Sequence, residues 1–261
     1  MNSLNLAKKI RIDVIKMVNR SGASHIGPIL SIVDIIAVLY GKIMSYDIKN
    51  PTLKTRDRFI LSKGHGGAAV YAVLAEVGFF DKSELLNYCQ DGSKLSGHVS
   101  HVDIPGVEFS TGSLGHGLSV ATGMALRAKL DSMSHKIYAL LGDGELDEGS
   151  NWEAFMFAAH KKLDNLCVVI DRNNLQSIDT TENTLALEPL DEKIRSFGWH
   201  VEEVDGHDHL ALENALNIDS SKPLCLIAKT IKGKGVSFME NNILWHYKTP
   251  KDSDFDKAIA E

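Results

Sequence analysis

The sequence predicts an α/β fold, a doubly wound and mainly parallel sheet with helices on both faces, and three observations predict it. Four short apolar runs read as strands: 135–143 (HKIYALLGD), 165–174 (NLCVVIDRNN), 198–207 (GWHVEEVDGH) and 222–230 (KPLCLIAKT). Helical patterns alternate with them, at 149–162, roughly 188–197 and 208–218. Neither an internal repeat nor a Pro/Gly-rich linker divides the 261 residues, so one domain over 1–261 is expected. Strand and helix in alternation give βαβ units, whose crossover helices cover both faces of a parallel sheet.

The elements follow in order. Residues 1–22 place apolar side chains at 4, 6, 10, 12, 14, 15, 17 and 18 among charges, the pattern of an amphipathic helix and not of a signal peptide. Helices are expected at 31–44, 66–78 and 114–130, the last emerging from the glycine-rich TGSLGHG. No stretch reads as long enough to span a membrane, which makes the cytoplasm the expected compartment. Cys89, Cys167 and Cys225 are widely spaced and read as packed small hydrophobes, with no disulfide or zinc pattern. The net charge of −6, without a Lys/Arg tract, argues against a nucleic-acid partner.

Ligands of such sheets gather beyond the carboxyl ends of the strands. Asp143 lies at that end of one expected strand, between Gly142 and Gly144; Asn173 and Asn174 close the next. If the two loops meet, the Asp143 carboxylate, the Asn173 amide and a nearby backbone carbonyl offer hard oxygen ligands suited to Mg²⁺ or Ca²⁺. The glycines permit close approach of a bulky anion such as a diphosphate, toward which the N–H groups of the next helix can point. Taken alone, GDG reads more readily as an ordinary turn, and NN is a weaker signal still.

GDG followed after 28 intervening residues by NN, each closing an apolar strand with a helix between, resembles the thiamine diphosphate (ThDP) signature of ThDP-dependent enzymes. The segments at 21–40 (SGASHIGPILSIVDIIAVLY), 56–74 (RDRFILSKGHGGAAVYAVL), 110–129 (STGSLGHGLSVATGMALRAK) and 228–247 (AKTIKGKGVSF to WHY) occur in the order seen in the amino-terminal half of transketolases. The chain is similar to that family from residue 10 to about 250. The resemblance implies the diphosphate-binding (PP-type) domain of a ThDP fold. It gives Asp143, Asn173 and the Leu175 carbonyl to the metal, and Gly142, Gly144, Glu145 and Asn173 to the diphosphate. Gly112, Ser113 and Leu114 would lie against the cofactor rings, with His65 near the cofactor and His246 shared with the substrate. His25 would meet the substrate at the reacting carbon and His98 would lie on the substrate side.

Each assignment has a plainer rival. Any one of the 11 histidines reads on its own as a surface or capping group, although neutral imidazoles around a sugar can polarise its carbonyl and hold its hydroxyls. Glu148 matches a family glutamate at the subunit contact, in a proton network, yet it also fits a helix N-terminal carboxylate. KTIKGKG at 229–235 fits a phosphate-binding loop, a loop that closes over the site, or a solvated turn.

Three features depart from the family pattern. SGASHIG alters the usual Ser-Gly-His core, and Tyr247 stands where a glycine commonly follows the histidine, which would narrow the substrate mouth. The sequence also stops at Glu261, without the pyrimidine-binding domain whose glutamate activates ThDP. The resemblance therefore implies the amino-terminal subunit of a split, Mg²⁺-dependent transketolase that moves a two-carbon ketol unit between sugar phosphates. A second chain would supply the pyrimidine and C-terminal domains, in an α₂β₂ assembly. The rivals are a ThDP-dependent lyase or acyl-transferase subunit with another 2-oxo donor, and a non-catalytic binding or regulatory subunit.

Overall fold

The computed structural model describes residues 2–261. Helix α1 (Ser3–Ser21) begins where the Asn2 side chain accepts the Leu4 N–H at 2.9 Å and ends on Gly22, whose φ of 71° is the left-handed turn that glycine adopts freely. Its inner stripe, Leu6, Ile10, Val14, Met17 and Val18, is buried. After α2 (Ile26–Leu30) and α3 (Val33–Val38), the strands and helices alternate: β1 (Arg58–Leu61), α4 (Gly67–Val77), α5 (Gly117–Leu130), β2 (Ile137–Gly142), α6 (Gly149–His160), β3 (Leu166–Arg172), the short α7 (Thr181–Thr184), α8 (Leu190–Ser196), β4 (His200–Asp205), α9 (His209–Leu216), β5 (Leu224–Lys229) and α10 (Asp252–Ala260).

The five strands are all parallel, in the order β1-β2-β3-β5-β4. Their side chains divide the interior in two. On one face Phe59, Leu61, Tyr138, Leu140, Val169 and Leu226 join the apolar sides of α1, α3, α4 and α9. On the other, Ile60, Ala139, Leu141, Val168, Ile170 and Ile227 pack under α5, α6 and α8. Alternation along each strand is what makes the sheet doubly wound. The step from β4 back to β5 runs against the sheet's earlier direction, so its right-handed crossover puts α9 on the face opposite α6 and α8.

Five expectations need correction. Strand β1 was not expected because its RFIL is only four residues long, nor was α10, because only Phe255 and Ala258 anchor it among charges. The helix expected at 31–44 is instead α3 plus a wider turn at Leu39–Ile43, entered through Ser31 and Ile32. Residues Ile26–Ile43 do have the length and apolarity of a membrane span, with mean hydropathy 1.8, but 83% of that stretch is buried in the core. Cys167 and Cys225 are buried as expected, whereas Cys89 is exposed; all three are free thiols.

Candidate functional site

A cleft of about 150 Å³ opens at the carboxyl ends of β1, β2, β3 and β5, and Lys63, His65, Leu114, Gly142–Glu145, Asn173, Leu175, Gln176, Lys232 and His246 line it. A larger groove between α1 and residues 82–86 contains neither motif. The two loops singled out in the sequence therefore meet. The Asp143 carboxylate, 2% exposed, accepts the Gly144 N–H at 2.8 Å through Oδ1 and the Asn174 N–H at 2.7 Å through Oδ2. Asn174 sits at this turn with a left-handed φ of 65°, a conformation that Asn adopts more readily than most residues. At Gly144 a Cβ would lie 2.8 Å from Gln176 Cγ, so a larger residue there would have to displace the Gln176 side chain from between the loops.

Asn173 and Leu175 lie at the same point. Asn173 Nδ2 donates to Asp171 at 3.0 Å, its Oδ1 accepts the Leu175 N–H at 3.1 Å, and the Leu175 carbonyl accepts from Lys232 Nζ at 3.0 Å. Amide and carbonyl oxygens each carry two lone pairs, so one remains on each. A carboxylate and two neutral oxygens, without thiol or imidazole, fit a small hard cation. No group of three His, Cys, Asp or Glu suited to a metal occurs among the described residues. Burial, and then the nearby Asp171 carboxylate, push Asp143 up to about 6 against the pull of Arg172 and the two N–H groups; a bound cation would reverse that cost.

Beneath the loops lies a charge pair that the sequence reading missed. Lys63 Nζ, 1% exposed, donates to Asp171 Oδ2 at 2.6 Å and to the Pro28 carbonyl at 3.0 Å. Asp171 also accepts from Ser31 at 2.7 Å and from Thr230 and Asn173, so one carboxylate ties β1, β3, β5 and α2 together beneath the cleft. Burial alone would raise Asp171, but the Lys63 ammonium and these donors hold it below its ordinary value. Arg172, also missed, reaches Asp143 at 3.3 Å and Glu182 and Glu188 at 2.8 Å. Their one sequence signal was charge placed inside or beside apolar strands.

The four histidines gather at the mouth. The His25 ring lies 5.4 Å from His65, 5.5 Å from His98 and 5.2 Å from His246, centroid to centroid, and the Tyr247 ring lies tilted against His246 at 4.9 Å. His25 holds a left-handed φ of 74°, fixed by its N–H to the His246 carbonyl at 2.9 Å. Gly64 lets the backbone of 63–65 pass against Thr111, whose carbonyl oxygen would be 2.4 Å from a Cβ there, and this carries His65 to the cluster. Lys232, 1% exposed, donates to the Leu175 and Gln176 carbonyls and lies 3.0 Å from His246 Nδ1. An ammonium only donates, so Nδ1 is the bare nitrogen and Nε2 carries the proton. Burial, then Lys63, lowers Lys232 to about 8.

Burial and neighbouring charge also depress the histidines: His25, with His98 and Lys63 beside it, to about 4, His246, beside Lys232, to about 3, and His65 well below its usual range. They are neutral at pH 7. Because the unfolded chain takes up protons below about 6.5 that the folded one refuses, stability is complete above that pH and falls as the pH drops toward 4. The melting temperature should decline between pH 6.5 and 5, and His25→Gln with His246→Gln should flatten the decline; calorimetry across that range checks it, and a flat wild-type profile would contradict it.

The remaining candidates divide. Gly112 lies beside His98, whose Cδ2 would be 3.4 Å from a Cβ there; Ser113 is exposed, and Leu114 lines the cleft. Glu145 lines it too, but both its oxygens are committed to Ser62 and to the N–H groups of Gly115 (3.0 Å) and Gly142 (3.1 Å), so it braces the floor. Glu148 does not join the histidines: it is the exposed residue at the start of α6, packed beside Gly115, with no side-chain cap bond. In KTIKGKG, Lys229 and Lys234 pair with Glu203 and Glu240, while Lys232 is buried and the Gly233 N–H bonds the Gly27 carbonyl at 3.0 Å. The loop is therefore anchored and is no solvated turn.

The sequence matches the family described as transketolase, thiamine diphosphate binding domain, over residues 3–258. It is 43% identical to an apulose-4-phosphate transketolase subunit of Actinobacillus succinogenes, covering 98% of this chain and 94% of that one. It is 41% identical to the 6-deoxy-6-sulfo-D-fructose transketolase subunit SqwG of a Clostridium species, over 98% of this chain. The crystal structure of transketolase from Campylobacter jejuni superposes with a TM-score of 0.92 at 32% identity, over 99% of this chain and 42% of the longer one. The chain thus spans about two fifths of that solved transketolase.

Proposed function

The chain belongs to the transketolase family, as a thiamine diphosphate binding transferase subunit, and on that premise we propose that with a second subunit it moves a two-carbon ketol unit from a ketose to an aldose. The observation that carries the reading is the meeting of Asp143 with the 173–176 loop in one cleft beneath four histidines.

Asp143, Asn173 and the Leu175 carbonyl are the residues to hold Mg²⁺ or Ca²⁺. The Gly142–Glu145 turn and Leu114 line the place of the diphosphate and the neighbouring rings. When bound, ThDP supplies a carbon nucleophile and an electron sink for cleaving a C–C bond beside a carbonyl. Around it, this chain's residues bind and orient. Lys63 and Lys232 place buried positive charge under an anionic tail. His25, His65, His98 and His246 are the groups to hold sugar hydroxyls and pass protons at them, and the neutrality of three of them keeps both roles open near pH 7. Tyr247, tilted against His246 and 62% exposed, narrows the approach and suits a donor other than the commonest sugar phosphates.

The partner would carry the pyrimidine-binding domain with its activating glutamate and the C-terminal domain, in an α₂β₂ assembly of the cytoplasm, with Glu148 at a subunit contact. Relatives of nearly the same length that are themselves named as transketolase subunits support the need for a partner. The test is a steady-state assay of the reconstituted pair with ThDP and Mg²⁺, using xylulose 5-phosphate, apulose 4-phosphate or 6-deoxy-6-sulfo-D-fructose as donor and ribose 5-phosphate or another aldose as acceptor. Ketol transfer by the pair, and none by this chain alone, is expected. Turnover only with a 2-oxo acid donor would favour the lyase reading, and failure to bind ThDP would favour a scaffold.

A further inference from the structure

We propose that His207, at the turn between β4 and α9, is a positioning residue of the cleft, linking the buried charge of Asp34 to the loop that seats Lys232; this rests on the cofactor reading above. The VDGH segment reads from sequence only as a strand end, and His207 does not line the cleft. Asp34, on α3 and 4% exposed, accepts from Arg11 of α1, from His207 Nδ1 at 2.8 Å and from His209 Nε2 at 3.0 Å. The other nitrogen of His207, Nε2, lies 2.9 Å from the backbone N of Ile231.

That second contact fixes the tautomer. A backbone N–H donates and cannot accept, so Nε2 is bare and the ring proton sits on Nδ1, facing the carboxylate. One imidazole thus spans the gap between a buried anion and the peptide immediately before Lys232. Lys232 in turn holds the carbonyls of Leu175 and Gln176 and lies against His246 Nδ1. The line of contacts runs from Asp34 through His207 and Ile231–Lys232 into two walls of the cleft. Without an acceptor at Nε2, the Ile231 N–H is left without its partner, and of the bonds that seat Lys232, which include Gly233 N–H to Gly27 and Asn241 N–H to the Lys232 carbonyl, the loop loses the one on its N-terminal side.

Two shorter side chains separate the halves of this bridge. In His207→Gln a carboxamide oxygen reaches as far as Nε2 and can accept from Ile231. In His207→Asn the amide reaches only as far as Nδ1 and keeps the bond to Asp34, and His207→Phe keeps neither. ThDP is titrated into each complex with the partner subunit at saturating Mg²⁺, and amide exchange is followed at 230–235 and 174–177. The Phe and Asn variants should bind ThDP about tenfold or more weakly and exchange faster in both segments, while Gln stays within about threefold of wild type and kcat at saturating ThDP holds within about twofold throughout. An Asn variant that binds like wild type, a Gln variant as weak as Phe, or a fall in kcat at saturating cofactor overturns the proposal. Equal binding by all four proteins sinks His207 alone; a wild-type complex that binds no ThDP sinks the cofactor reading as well.

Discussion

Asp143→Asn should lower ThDP affinity in the presence of Mg²⁺ by about 100-fold or more without lowering the melting temperature. The carboxamide keeps the shape of the side chain and an acceptor for the Asn174 N–H, bonded at 2.7 Å, but gives up the one for the Gly144 N–H at 2.8 Å, a loss that the gain described below offsets. What it loses is the one negative charge of the set Asp143, Asn173 and Leu175 carbonyl, and a neutral amide is a poor exchange on a hard divalent ion. Stability goes the other way. Since burial pushes the folded carboxyl up to about 6, its ionised form is disfavoured in the fold, and above that pH the charge costs stability that the amide does not. Arg172 keeps Glu182 and Glu188. Calorimetric titration with ThDP beside a thermal melt checks both halves. Normal metal-dependent binding by the variant would remove Asp143 from the site.

Lys63→Met should cost about 3–5 kcal/mol of folding stability, the scale at which removing one partner strands a buried charge. Lys63 and Asp171 are 1% and 0% exposed, and the methionine fills most of the lysine's volume, so the lost charge and not a cavity dominates. Adding Asp171→Asn should restore about half of the loss or more, because the pair removed together leaves no bare ion. Urea unfolding of the single and double variants measures this. The single variant should also become less sensitive to acid. In the wild type Asp171 is held below its ordinary 3.8, so its contribution is complete above that pH and lost as the pH falls below it. Without Lys63 that depression shrinks. A double variant as unstable as the single one would show that Asp171 is not the group harmed.

What could be read in advance and what could not follows from distance along the chain. Asp143 and Asn173 announced themselves because each closes an apolar strand, and neighbouring parallel strands bring their carboxyl ends side by side. His25, His65, His98 and His246 were legible only through family resemblance: nothing in their spacing says that three loops and a turn will set the other three rings within about 5.5 Å of the first. Asp171 was visible as a charge in VVIDRNN, but its partner lies 108 residues earlier, and pairing across a sheet leaves no local pattern. Lys232 sits in a stretch where three lysines look alike, and only packing separates the buried one from Lys229 and Lys234. Glu148 was likewise legible only through resemblance, which places it at a subunit contact; in the single chain it is exposed at the start of α6.

The buried stretch at 26–43 has a consequence for how the protein is made. During synthesis these eighteen residues leave the ribosome with the hydropathy of a bilayer-crossing segment. Their cover includes β1, α4 and, much later in the chain, α9, which packs on α3. Until α9 is translated, that side of α3 stays bare and adhesive, a natural target for chaperones and a starting point for aggregation if elongation stalls.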